Sequence, residues 1–300
     1  MGIFDIFKKK KKDVVKEIKI NESLKEIIQS LQKNEIRINL NTHSAVKTAS
    51  SSKIGGKPYL PKTFSWPVFT SYEDNITRPL SFICQINLKD LEKYDIEGLL
   101  PKNGMLYFFY ECESCFWGFN PKDNGASKVY YYDDLTNFEE IDIPTSLEKH
   151  NIVPEISISF ENKVAYPQYE EFYIHTKLGY DFEEYDLILE NLGIDLDEED
   201  INKLLGYANI LQNEMLTECE SVSRGINVGD SKIDENTTEI VYKDIEDKAN
   251  QWMLLFQIGT ISKGGFEMMF GDCGYLYFYI KKEDLINKNF NNIQFIVQCF

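Results

Sequence analysis

The sequence predicts an α+β fold, with a largely antiparallel, internally duplicated β core and peripheral helices. Short runs that are apolar throughout, or that alternate apolar with polar residues, recur along the chain and are mostly joined by short turns. Two of these runs recur as a matched pair. The 300 residues, 43% hydrophobic and 14% aromatic, suffice for a substantial core.

Residues 1–19 read as a flexible basic tail. Ile3, Phe4, Ile6 and Phe7 precede five consecutive lysines beginning at Lys8. Apolar anchors ahead of a basic run favour a weak peripheral contact of residues 1–12 with an anionic membrane, at about 1 kcal/mol per lysine. A solvated tail accounts for the same composition. The myristoylation pattern fails, because Ile6 stands where Ser or Thr is required. Asn21 is placed to cap a helix running to about residue 34, with Leu24, Ile27, Ile28 and Leu31 on one face. Ile36, Ile38 and Leu40 then alternate with Arg37 and Asn39 as in a half-buried strand.

Residues 50–67 are dense in Gly and Pro, which break ladders and fix turns, so they predict an ordered surface loop anchored by Tyr59, Phe64 and Trp66. Residues 80–86 are apolar nearly throughout, as in a strand covered on both faces. A short helix over 89–94 follows, then strands over 104–110, 128–132 and 156–160. Residues 169–220 are helical and acidic in character. Asp197 and Asp200 resemble a capping box, and Ile201, Leu204, Leu205 and Ala208 continue at helical spacing. Residues 225–250 are polar and read as a mobile or partly disordered connector. From Trp252 to the end the pattern predicts three strands, a short helix and a closing strand.

The duplication rests on a match between Phe82-Ile83-Cys84-Gln85-Ile86 and Leu254-Leu255-Phe256-Gln257-Ile258. Beyond it, Gly104-Met105-Leu106-Tyr107-Phe108 matches Gly274-Tyr275-Leu276-Tyr277-Phe278. The expected organisation is one domain over residues 20–300, made of two pseudo-repeats at about 36–165 and 245–300. A helical acidic insertion at about 169–224 lies between them. Two copies are too few for a solenoid.

Several stretches also resemble the YwqG-like family of uncharacterised, mainly bacterial proteins. The matching residues are Ser52-Lys53-Ile54-Gly55-Gly56-Lys57-Pro58-Tyr59-Leu60-Pro61, Trp66-Pro67, Pro79-Leu80, Gln85-Ile86-Asn87-Leu88, and Leu204-Leu205-Gly206-Tyr207 with Gln212. The ending WMLLFQI, MMFGDCGYLYFYI, KKEDL and QCF completes them. The resemblance implies an α+β protein rich in antiparallel strands, and it brings no established activity or catalytic residue.

Charge and cysteine usage narrow the function classes. A formal charge of -17 repels phosphate backbones, so nucleic acid is not the expected partner, while a basic protein or a cation fits. Six scattered cysteines without a secretory pattern predict a reduced, cytoplasmic protein rather than a disulfide scaffold. No apolar run reaches the roughly 20 residues that span a bilayer as a helix.

Candidate chemistry is sparse. Cys112-Glu113-Ser114-Cys115 has the spacing of zinc and redox motifs, yet no second such pair and no paired histidines accompany it, and its flanks look extended. Cys112 and Cys115 are thus weak metal candidates, and no cofactor is expected. Gln85 and Gln257 sit at equivalent places in apolar strands, where an unpaired amide costs roughly 1–3 kcal/mol. Their partners are either backbone groups of the facing half or a ligand held at the junction of the halves. Asp272 and Cys273, within Gly271-Asp272-Cys273-Gly274, belong either to a tight turn or to that site. Residues 50–57 fail the P-loop order, since Lys57 is followed by Pro58. The acidic cluster around Glu183, Glu184 and Asp186 lacks the phasing of an EF-hand.

The expected function is a cytoplasmic, non-catalytic binding protein, for example an immunity-like one that neutralises a basic protein. The alternative is a small-molecule enzyme or sensor whose site gathers Gln85, Gln257, Asp272 and Cys273 at the junction.

Overall fold

A computed structural model describes residues 22–196, 201–229 and 239–300. The basic tail, Asn21 and the pair Asp197 and Asp200 lie outside these residues. Helix α1 (Glu22–Ser30) buries Leu24 and Ile28. It ends earlier than its apolar spacing suggests, because β1 (Lys33–Asn41) needs the following residues for its ladder.

The first half continues with β2 (Lys53–Ile54), β3 (Tyr59–Pro61), β4 (Val68–Thr70), β5 (Thr77–Pro79) and β6 (Ser81–Asn87). After a 3-10 turn at Leu88–Leu91 come β7 (Met105–Tyr110), β8 (Ser127–Tyr132), β9 (Phe138–Glu140) and β10 (Ile156–Ala165), which runs five residues past its apolar start. Helices α2 (Tyr169–Thr176) and α3 (Phe182–Leu192) pack with α1 around Phe172, Tyr185 and Ile188.

The second half comprises β11 (Lys203–Leu205), α4 (Leu216–Ser223), α5 (Glu239–Ala249), β12 (Trp252–Ile258), β13 (Ile261–Lys263), β14 (Phe266–Met268), β15 (Tyr275–Lys281), α6 (Lys282–Ile286) and β16 (Gln294–Gln298). No helix among the described residues is long and apolar enough to cross a membrane.

Ten strands form one antiparallel sheet in the order β16-β15-β12-β11-β1-β10-β2-β6-β7-β8. Counted outward from the central pair β1 and β10, the two flanks carry the same succession. Each has a two- or three-residue strand, a seven-residue strand, an aromatic strand and an edge strand. The ladders shift register between Phe82 and Cys84 on one flank and between Leu254 and Phe256 on the other.

The sheet curls until its far strands face each other, giving a nearly closed barrel. Phe108 on β7 stacks 4.4 Å from Phe256 and 5.2 Å from Phe278. The Val297 amide on β16 donates to the Trp117 carbonyl beyond β7 at 3.0 Å. Gly118 permits that approach, since a Cβ there would lie 1.9 Å from the Phe295 carbonyl oxygen and the backbone takes φ +83. Leu276, Phe278 and Ile280 of β15 enter this interior. The alternate residues Tyr275, Tyr277 and Tyr279 pack with Trp252 and α4 on the outer face.

Three expectations are corrected. Residues 203–205 form a strand, not a helix, because Lys203 to Leu205 fill the slot between β1 and β12. Leu205 and Gly206 then turn the chain at φ +61 and +75. The stretch read as a connector contains α5, which packs on α4 and buries Ile245 and Ala249 one helical turn apart. The final stretch holds four strands before its helix rather than three, two of them the short hairpin of β13 with β14, turned by Gly264 and Gly265.

Candidate functional site

Gln85 and Gln257 are both 0% exposed, and each amide is fully engaged within its own flank. Gln85 Oε1 accepts from the Tyr59 amide at 2.9 Å, and Nε2 donates to the Ala49 and Ser51 carbonyls at 2.8 Å. Gln257 Oε1 accepts from the Asn209 amide at 2.9 Å, while Nε2 donates to the Ile201 carbonyl at 2.8 Å and to Asn209 Oδ1 at 3.2 Å. A third buried amide does the same work: Gln298 accepts from the Leu211 and Gln212 amides and donates to the Asn213 carbonyl. Each amide therefore staples a loop to the sheet.

The staples belong to a larger set of matched contacts. Lys53 pairs in register with Gln85, and Lys203 with Gln257. Both lysines are buried, Lys53 bonding Glu155 at 2.7 Å and Lys203 bonding Glu35 at 2.9 Å. The Tyr107 hydroxyl donates to the Tyr59 carbonyl, as the Tyr277 hydroxyl does to that of Asn209. Ser52 and Asn202, one residue before each lysine, accept from the Asn87 and Gly259 amides.

No hydrogen bond joins Gln85, Gln257, Asp272 and Cys273. Asp272 and Cys273 lie exposed in a turn closed by the Gly274 amide on the Phe270 carbonyl, with Cys273 at φ +51. The interior between the halves is filled by the Phe108, Phe256 and Phe278 rings. Among the described residues no group of three or more His, Cys, Asp or Glu is placed to hold a metal.

A cleft of about 1190 Å³ opens instead at the rim of the seam, where both halves contribute walls. Leu100 and Leu135 of the first half face Leu285 and Ile286 of α6, with Tyr131 of β8 between them. The Tyr131 hydroxyl donates to the Asn103 carbonyl at 3.0 Å and its ring lies 5.4 Å from Phe290. Burial and the charge of Asp133 push that hydroxyl up from its ordinary value, so it stays a proton donor at neutral pH. Lys89, Lys102 and Lys288 line the cleft, and none has a carboxylate partner among the described residues. Lys288 stands 5.9 Å from the Tyr131 ring centre. Asp133 and Asp134 complete the lining, Asp134 being occupied by the Thr136 amide and hydroxyl. The cleft thus joins an apolar floor to a small excess of positive charge, in a chain of formal charge -17.

A family model described as a domain of unknown function, DUF1963, matches residues 52–299. The chain belongs to the DUF1963 family. No curated protein matches it. The DUF1963 match takes in Gln85, Gln257 and Gln298 and every residue that lines the cleft except Ser50.

The three cleft lysines escape a reading by motif because they stand on separate turns. Lys89 stands in Leu88-Lys89-Asp90-Leu91 directly after β6, and nothing in its spacing ties it to Lys102 or Lys288. The helical layer of the DUF1963 chain holds a different titrating group. Among the described residues, Glu218 Oε2 on α4 is buried without a hydrogen-bond partner. Burial, then the charge of Glu214, pushes the Glu218 carboxyl up to about 8.

Its folded state therefore retains a proton that the unfolded chain releases near pH 4.5. Stability is lost as pH rises from there to about 8, and the loss is complete above it. Glu218→Gln is expected to raise the unfolding free energy by about 2 kcal/mol at pH 8.5 and to change it little at pH 4. Urea denaturation at the two pH values checks this; equal effects at both would overturn the assignment.

Proposed function

We propose that this DUF1963 protein is a non-catalytic binding protein whose seat is the seam cleft, and that its ligand is a small anion with an apolar or flat portion. The observation that carries this reading is the convergence of Lys89, Lys102 and Lys288, without carboxylate partners among the described residues, around a lining of leucines and Tyr131. Lysine amines supply point charges for phosphate or carboxylate, and the Tyr131 face suits a planar group.

A thermal-shift titration of the full chain with pyrophosphate tests it. The wild type should be stabilised by about 2.7 kcal/mol at one hundred times the dissociation constant. The triple variant Lys89→Gln, Lys102→Gln, Lys288→Gln should lose the response. A wild type that shows no shift in low salt would sink the reading.

A basic protein partner is the second reading, and a separate groove favours it. This groove, of about 550 Å³ between α2 and α3, is lined by Glu170, Asp186 and Glu190 and walled by Tyr169 and Phe182, the latter 57% exposed. Carboxylates beside exposed aromatic rings suit an amphipathic basic helix. An immunity-like role is one form of it. Binding of a lysine-rich helical peptide should weaken steeply with salt and fail in Asp186→Lys, Glu190→Lys; salt-independent binding speaks against it.

The two flanks are proposed to be a true duplication, running from about residue 33 to 165 and resuming at about 201 rather than 245. The matched lysines, glutamines, tyrosines and register shifts support that boundary. The YwqG-like affiliation and a cytoplasmic location belong to the same proposal.

A further inference from the structure

A third concave site lies beside the turn that carries Cys112 and Cys115. It is a pocket of about 190 Å³ walled by Tyr110 and Phe270, into which Cys112, Cys115, Met268 and Met269 are set. Cys112 Sγ is 3.7 Å from Met268 Sδ. Two sulfurs at that separation subtend close to the tetrahedral angle at an ion bonded to each at about 2.3 Å. Cys115, three residues on, lines the same pocket. Cys115 is held at φ +53, a strained conformation for a residue with a side chain.

The turn is fixed from beneath. The buried Glu111 carboxylate accepts from the Glu113 amide at 3.1 Å and the Ser114 amide at 3.0 Å. Glu113 in turn accepts from Asn151 Nδ2 at 2.6 Å and pairs with His150 Nε2 at 2.8 Å. The His150 imidazole is thus engaged by Glu113, and the carboxylate of the lining, Glu267, is a hard donor that suits a soft ion less well than the four sulfurs do. The buried Ser81 hydroxyl, which has no oxygen or nitrogen partner, faces the Cys112 sulfur.

We propose that this pocket is a binding site for a soft monovalent metal, Cu(I), coordinated by the Cys112 and Cys115 thiolates and the Met268 thioether. Thiolate and thioether donors select Cu(I), whereas a structural zinc site asks for four nitrogen, thiolate or carboxylate ligands. Metal entry replaces both thiol protons, which leave to solvent, and gives a bis-thiolate complex of single negative charge. Met269, 45% exposed at the mouth, is positioned to receive the ion first.

The test is an anaerobic titration of the reduced full chain with Cu(I), in competition with a chromogenic Cu(I) chelator. The chain should withdraw one equivalent, with sulfur-only scattering in the copper X-ray absorption spectrum. Met268→Leu conserves volume and keeps the fold. That variant and Cys115→Ser should each weaken binding at least tenfold, whereas Cys273→Ser should not. Wild-type affinity in both Met268→Leu and Cys115→Ser, or nitrogen and oxygen scattering at the copper, would overturn the proposal.

Discussion

Gln85→Leu is expected to lower the unfolding free energy by about 3 kcal/mol, and Gln257→Leu by a similar amount. Leucine keeps most of the buried volume, so packing changes little. What is lost is the pairing of the Tyr59 amide and of the Ala49 and Ser51 carbonyls. A backbone group left buried without a partner costs about 1–3 kcal/mol, more than its hydrogen bond contributed. In the other flank the stranded groups are the Asn209 amide and side chain and the Ile201 carbonyl. Urea denaturation measures both losses. The two staples share no partner, so the double variant should show the sum of the single effects. A loss below 1 kcal/mol in either single variant would mean that its loop finds water or another partner.

Lys203→Met should cost about 3–5 kcal/mol, while Lys53→Met, in the equivalent register position, should cost about 1 kcal/mol. The difference follows from what each change leaves behind. Removing Lys203 strands Glu35, whose side chain is 2% exposed and cannot recruit water, with Arg37 as its remaining cationic partner. Removing Lys53 leaves Glu155 at 42% exposure, where solvent takes over the charge. Burial lowers the Lys203 amine and the Glu35 carboxylate opposes that shift, so the pair holds through mutual proximity rather than hydration. Lys203→Met combined with Glu35→Gln should recover part of the loss, because the buried carboxylate is then neutral, while Arg37 gives up its ion pair with it. Equal costs at Lys53 and Lys203 would count against this account.

Much of the strand pattern was legible before any coordinates. Residues 81–87, 105–110, 252–258 and 275–281 are apolar on both faces because one face meets the barrel interior and the other a helix or loop layer. Gln85 and Gln257 stood out because a polar amide within such a run demands partners. In the structure each amide bonds groups of a loop on its own flank.

Other elements resisted for definable reasons. The three residues of β11 carry an apolar spacing that suits a helix equally well. Only the open ladder edges of β1 and β12 decide that they extend. Helix α5 buries little beyond Ile245 and Ala249, so its composition looks like that of a connector, and contact with α4 supplies what periodicity lacks. Lys53 and Lys203 read as surface residues by type, and the carboxylates that admit them to the interior come from distant strands.

The sequence by itself determined the α+β class, the order of the principal strands along the chain and the likeness between the two glutamine-bearing strand pairs. These depend on periodicity and composition within single segments, which chain chemistry encodes locally. The tertiary structure alone decided the strand neighbours, the buried lysine pairs, the saturation of Gln85 and Gln257, and the seam cleft. Each of these brings together residues far apart in sequence, and their meeting is set by the curl of the sheet, which no single segment specifies.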